Sequence, residues 1–124
     1  MEELNKLTEQ ILKCAFRVHT ELGPGLLESS YKECLHYVLN KNGIYTEKER
    51  AFPLLFEEVK MELGYRVDLL VENRIIIEIK AIESFAAIHT AQVLTYLKLS
   101  GCKLGLLLNF QTAHLKNGIK RLVL

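Results

Sequence analysis

Apolar residues recur every three or four positions at the start of the chain, at Leu4, Leu7, Ile11, Cys14/Ala15, Val18 and Leu22. That spacing lines one face of an α-helix. The run stops at Gly23-Pro24-Gly25, a strong helix breaker. A second helix is predicted from about Leu26 to Lys41, with Leu27, Tyr31, Leu35, Val38 and Leu39 on one stripe and Asn42-Gly43 as its stop. Alternation is weaker between Tyr45 and Glu62; strands are expected at Tyr45–Phe52 and Leu54–Lys60, with Pro53 marking a break or an edge position. Two further strands, Tyr65–Val71 and Ile75–Ile79, are rich in Val, Ile, Leu and Tyr. Only Glu72-Asn73-Arg74 separates them, which makes a hairpin. A helix over Ala86–Ser100, ended by Gly101, precedes strands at Lys103–Asn109 and Ile119–Val123. This order predicts an α/β or α+β fold, a sheet flanked by helices.

The hairpin holds the least expected residues of the chain. Asp68, Glu78 and Lys80 lie inside its apolar run, where a charge is costly unless paired, hydrated or metal-bound. Side chains alternate along a strand, so Tyr65, Val67, Leu69 and Val71 point one way and Arg66, Asp68 and Leu70 the other. Glu78 and Lys80 share a face with Ile76, opposite Ile75, Ile77 and Ile79. A hairpin symmetric about Asn73 sets Asp68 opposite Glu78 and Arg66 opposite Lys80, with facing Cβ atoms about 4.5–5.5 Å apart. Two carboxylates that close repel unless a cation lies between them or one is protonated. A two-residue turn would send them to opposite faces. A divalent-cation site therefore requires an odd-membered loop at Asn73.

The 124 residues suit one compact domain, and 49% apolar with 25% charged residues is ordinary for a globular protein. A net charge of +1 gives no overall basic signature for nucleic acid, though a small cleft can be basic on a neutral protein. No stretch approaches the roughly 20 apolar residues of a membrane span, and Met1-Glu-Glu-Leu-Asn-Lys6 does not resemble a signal peptide. Cys14, Cys34 and Cys102 are odd in number and set among apolar residues, as expected of reduced core thiols in a cytoplasmic protein.

Other polar residues interrupt apolar stripes. Glu28 falls on the stripe of the second helix; it is either a helix-start acid favoured by the macrodipole or a third acid reaching toward the hairpin. His19, near the end of the first helix, reads first as a capping or core-edge residue and second as a ligand. His89, Gln92 and Tyr96 share one face of the third helix. They are either hydrogen-bonded at the core edge, or Gln92 and Tyr96 border the cleft and hold Lys80, water or phosphate. Lys48, Arg50, Lys60, Arg66, Lys116, Lys120 and Arg121 are solvated surface or contacts to a phosphate backbone. The chain lacks zinc-spaced Cys or His pairs, a dinucleotide or phosphate-binding glycine motif and a serine-hydrolase elbow.

At these residues the chain resembles the PD-(D/E)XK nuclease superfamily, and within it the small GxxExxY group. The resemblance rests on Gly25-Leu-Leu-Glu28-Ser-Ser-Tyr31, the preceding Val18–Gly25, Gly64-Tyr-Arg-Val-Asp68, Glu78-Ile-Lys80, His89-Thr-Ala-Gln92 and Gly105–Phe110. It spans about Leu4 to Leu124, with Val67 where the superfamily name has Pro. It implies a restriction-endonuclease-like mixed sheet between helices, formed as a single domain over residues 1–124. It further implies Mg²⁺ or Mn²⁺ on Asp68 and Glu78, with Glu28 as an additional ligand or water-positioning acid. Lys80 would assist the nucleophile, and Gln92 with Tyr96 resembles the Q-x-x-x-Y motif of RecB-like members. The function expected is a metal-dependent nuclease acting on DNA, or alternatively RNA, with Arg66, Lys48 and Lys60 as contacts to nucleic acid. The alternatives are a catalytically inactive nuclease-fold module that binds nucleic acid or protein, and a hydrolase of small phosphate esters. A chain this short offers little surface for a duplex, which makes a homodimer a reasonable expectation.

Overall fold

A computed structural model describes all 124 residues. Three helices, α1 (Glu2–Leu22), α2 (Glu28–Lys41) and α3 (Ala87–Ser100), flank five strands, β1 (Thr46–Phe56), β2 (Val59–Val71), β3 (Ile75–Lys80), β4 (Leu104–Asn109) and β5 (Ile119–Val123). The strands lie in one mixed sheet in sequence order. Only β3 and β4 run parallel, joined through the α3 crossover; the other neighbours are antiparallel. This is an α+β fold.

Strand alternation sorts the core onto two faces. Leu69, Val71, Ile75, Ile77, Ile79, Leu104, Leu106 and Leu108 pack with the apolar stripes of α1 and α2, including Ile11, Val18, Tyr31 and Leu35. Leu70 and Ile76 pack on the other face with Tyr96 and Leu97 of α3. Gly105 also faces α3, and a Cβ there would stand 2.7 Å from Cγ1 of Val93. The helix touches the sheet at that point because no side chain intervenes.

Four expectations change. The two strands expected around Pro53 form one, β1, and Pro53 sits at a register shift between Phe52 and Leu54 on the sheet edge. An edge residue needs no inward N–H, so proline distorts the strand without ending it. The break comes instead at Glu57-Glu58, both with positive φ (50° and 69°), a two-residue hairpin turn. Leu27 is not on the α2 stripe: it precedes the helix and is 73% exposed. Val67 packs with Leu70 and Ile76 rather than with Leu69 and Val71. The β1–β2 pairing skips one rung just there, between Lys48–Leu69 and Arg50–Val67, where Glu49 has a φ of 54°. Arg66 and Lys80 form no backbone pair, since the β2–β3 ladder ends at Leu69–Ile77.

Beyond Arg66, β2 has only β1 as a neighbour. Residues 52–65 thus form a two-stranded ribbon, with Leu55, Phe56, Val59 and Leu63 exposed.

Candidate active site

The loop at Asn73 has three residues, Glu72-Asn73-Arg74, and the register pairs Val71 with Ile75, Leu70 with Ile76 and Leu69 with Ile77. Continued by one rung, it sets Asp68 opposite Glu78, on the parity expected for an odd-membered loop. The backbone ladder stops at that rung and the two side chains replace it. The Asp68 N–H donates to Glu78 Oε1 at 2.9 Å, and the Ile79 N–H donates to Asp68 Oδ2 at 2.8 Å. Asp68 Oδ1 and Glu78 Oε2 have no protein donor. Asp68 lines a cleft directly, together with Glu28, Ser29 and Lys32.

Electrostatics follow from this crowding. Glu78 is only 4% exposed. Burial, and then the neighbouring Asp68 charge, push its pKa up to about 8. Burial also raises Asp68, against the Ile79 N–H and the charges of Lys32 and Lys80, which lower it. The free oxygens are hard donors of the kind that suit Mg²⁺ or Mn²⁺, and a bound cation would offset the repulsion that raises both groups. Thus the pair fits a divalent metal. No three acidic, imidazole or thiol groups converge closely enough to ligate one ion by themselves.

Glu28, the first residue of α2, reaches the same region. Its Oε2 accepts the Ala81 N–H at 3.0 Å, one residue past Lys80. It is thus both a helix-start acid and an acid aimed at the hairpin. Tyr31 fixes the approach to this helix: fully buried and stacked on Phe110 at 4.7 Å, it donates to the Gly23 carbonyl and accepts the Leu26 N–H. Glu28, Ser29, Lys32 and Asp68 line one cavity of about 280 Å³.

From the opposite side Tyr96 packs in the cluster that holds Val67, Leu70 and Ile76. Burial, followed by the charge of Glu78, raises its phenol pKa. Gln92 Nε2 donates to its oxygen at 3.2 Å, which leaves the phenol proton free to be donated. His89 is separate from this pair: its Nδ1 accepts the Ala86 N–H and caps α3. His19 is buried, with Nε2 2.8 Å from the Thr112 carbonyl oxygen, a core-edge role. Among the expected contacts to nucleic acid, Lys48 is ion-paired with Glu33 and Lys60 with Glu62 on the ribbon, while Arg66 is exposed beside Val67.

Two residues of this region were not singled out from the sequence. Asn109, on the strand parallel to β3, accepts the N–H groups of Ile82 and Gln111 and donates to the Ile82 carbonyl. It extends the β3–β4 pairing past Lys80. Lys32 stands four residues after Glu28, one turn along α2, and its charge is felt at Asp68. In the sequence it reads as an ordinary charged position beside a stripe; only its i, i+4 spacing from Glu28 could have drawn attention.

No helix is long and apolar enough to cross a membrane. Comparison with curated proteins gives no match. A solved structure titled "Crystal structure of SSO0001" is similar in fold, with a TM-score of 0.53 and 19% identity over 88% of this chain. The match covers 60% of that protein, so this chain spans less than two thirds of its length. A family model of the PD-(D/E)XK nuclease superfamily matches residues 5–122. With nearly the whole length matched, on a mixed sheet flanked by helices, the chain belongs to the PD-(D/E)XK nuclease superfamily.

Proposed function

We propose that this chain, as a single nuclease domain of the GxxExxY group, hydrolyses phosphodiester bonds of DNA through Asp68, Glu78 and Lys80, with Glu28. The observation that carries this reading is the exchange between Asp68 and Glu78, which fixes one oxygen of each carboxylate on a backbone donor and leaves the other oxygen of each without one. A bound Mg²⁺ or Mn²⁺ supplies Lewis-acid stabilisation of phosphate charge and acidifies a nearby water. Asp68 and Glu78 would hold that ion. Lys80 sets a positive charge beside them, favours the deprotonated nucleophile and offsets charge developing on phosphate. Glu28 orients the attacking water from the wall of the cavity. Tyr96, its oxygen already accepting from Gln92, keeps its phenol hydrogen available for a hydrogen bond to an incoming phosphate oxygen. Arg66, exposed two residues before Asp68, meets the nucleic-acid backbone, with Lys48 and Lys60 further along the same pair of strands.

The test is cleavage of supercoiled, linear and single-stranded DNA with Mg²⁺, with Mn²⁺ and with EDTA, for wild type, Asp68→Asn and Lys80→Ala. The expected result is metal-dependent cleavage that both variants lose. Activity that survives Asp68→Asn would overturn the mechanism. Binding of DNA without cleavage under any condition would instead favour an inactive nuclease-fold module, a reading consistent with the near-neutral net charge. Light scattering on the same samples tests the proposed homodimer, which a clean monomer would contradict.

A further inference from the structure

Lys32 is the cation of the cleft that the proposed chemistry leaves unused. It projects from α2 one turn after Glu28 and lines the cavity shared by Glu28, Ser29 and Asp68. Its side chain is 15% exposed, yet its one ionic partner, Glu49 at 3.1 Å, is 53% exposed. A sheltered ammonium is therefore held by a solvated carboxylate, which water and salt weaken and an incoming anion can replace. Glu49 is itself unusual. It lies inside β1, between the rungs Lys48–Leu69 and Arg50–Val67, at a φ of 54°, a conformation a non-glycine residue keeps only where its surroundings impose it.

We propose that Lys32 grips a phosphate of the nucleic-acid backbone, and that Glu49 is the placeholder which this phosphate displaces. A carboxylate and a phosphodiester offer an ammonium the same thing: negative oxygen acceptors at hydrogen-bond distance. In the free protein Glu49 occupies Lys32 and keeps it from pairing with Asp68. When a strand enters, Lys32 releases Glu49 and takes a phosphate oxygen. Glu49, now opposed to the backbone charge, raises the affinity threshold for weakly held anions. Lys32 is thus a substrate-binding residue and Glu49 a positioning residue that acts through it. This inference rests on the nuclease reading, because it needs nucleic acid in the cleft.

The experiment measures binding of a fluorescein-labelled single-stranded DNA oligonucleotide by anisotropy, in EDTA so that cleavage does not intervene, across a salt series. Lys32→Gln is expected to weaken binding about fivefold and to lower the slope of log K against log salt by about 0.7 to 1. Lys32→Arg should restore most of the affinity. Glu49→Gln should tighten binding about threefold by freeing Lys32, and the double variant should bind like Lys32→Gln alone. Tightening by Glu49→Gln that persists in the Lys32→Gln background would reduce Glu49 to a general charge effect and overturn the placeholder. An unchanged affinity and salt slope in Lys32→Gln would overturn the grip while leaving the nuclease reading intact. Wild type that neither binds nor cuts nucleic acid would overturn both. Circular dichroism on each variant separates lost binding from lost fold.

Discussion

The Asp68 amide donates to the Glu78 carboxylate, while Asp68 in turn accepts the amide that follows Glu78. A rung of the β2–β3 ladder is thus made from side chains, at the one place where the hairpin carries two acids. Each acid is positioned by the other strand's backbone.

The first prediction concerns pH. Glu78 ionises near 4.5 in an unfolded chain and near 8 in the folded one. Between those values the folded chain binds more protons, so metal-free stability falls as pH rises through that window and levels off above it. Thermal denaturation in EDTA from pH 4 to 9 should show this decline. Glu78→Gln should remove most of it. Mg²⁺ or Mn²⁺ should stabilise the protein at pH 8 far more than at pH 5, by about 1.4 kcal/mol at a tenfold excess over the dissociation constant. A flat profile in EDTA would contradict the buried pair.

Tyr31→Phe keeps the ring on Phe110 but strands the Gly23 carbonyl and the Leu26 N–H. Loss of a buried partner costs about 1–3 kcal/mol, measurable by urea unfolding. The loop that delivers Glu28 loses its anchor at the same time. Cleavage should therefore fall further than the stability loss accounts for, at temperatures where the variant is still folded.

Asn109→Ala removes three hydrogen bonds from the segment after Lys80. Turnover should drop by roughly tenfold, as expected when a supporting group is lost and a reacting group is misplaced. Oligonucleotide affinity should change little, because no phosphate contact is touched. Asn109→Asp keeps the acceptor for Ile82 and Gln111 and should recover part of the rate.

Gly105→Ala forces a Cβ to within 2.7 Å of Val93 Cγ1. Overpacking between α3 and β4 is expected to cost about 1–3 kcal/mol. A compensating Val93→Ala in the same chain should restore much of it, a coupling that a double-mutant cycle reads directly.

The candidate site was legible in the sequence where local rules decide it. Strand parity and the three-residue loop at Asn73 are enough to oppose Asp68 and Glu78. Apolar spacing is enough to place Glu28 on the second helix. Asn109 was beyond that reach, because its role exists only through the parallel β3–β4 pairing across the α3 crossover. Lys32 was missed for a similar reason: its significance depends on Asp68, 36 positions away, and on a kink at Glu49 that periodicity does not encode. Of the two roles open to Pro53, a break or an edge position, the edge position is the one the fold uses. On an edge strand proline removes a donor that had no partner to lose.

The ribbon of residues 52–65 divides the molecule by how readily it opens. Its amides have one neighbouring strand and little apolar cover, conditions that permit opening without global unfolding. The amides of β3 and β4, flanked by strands on both edges and buried on both faces, open only with the whole fold. Deuterium should therefore enter the ribbon long before it reaches the strand that carries Glu78, and proteases should find Leu55 and Phe56 first, while the acid pair is still assembled.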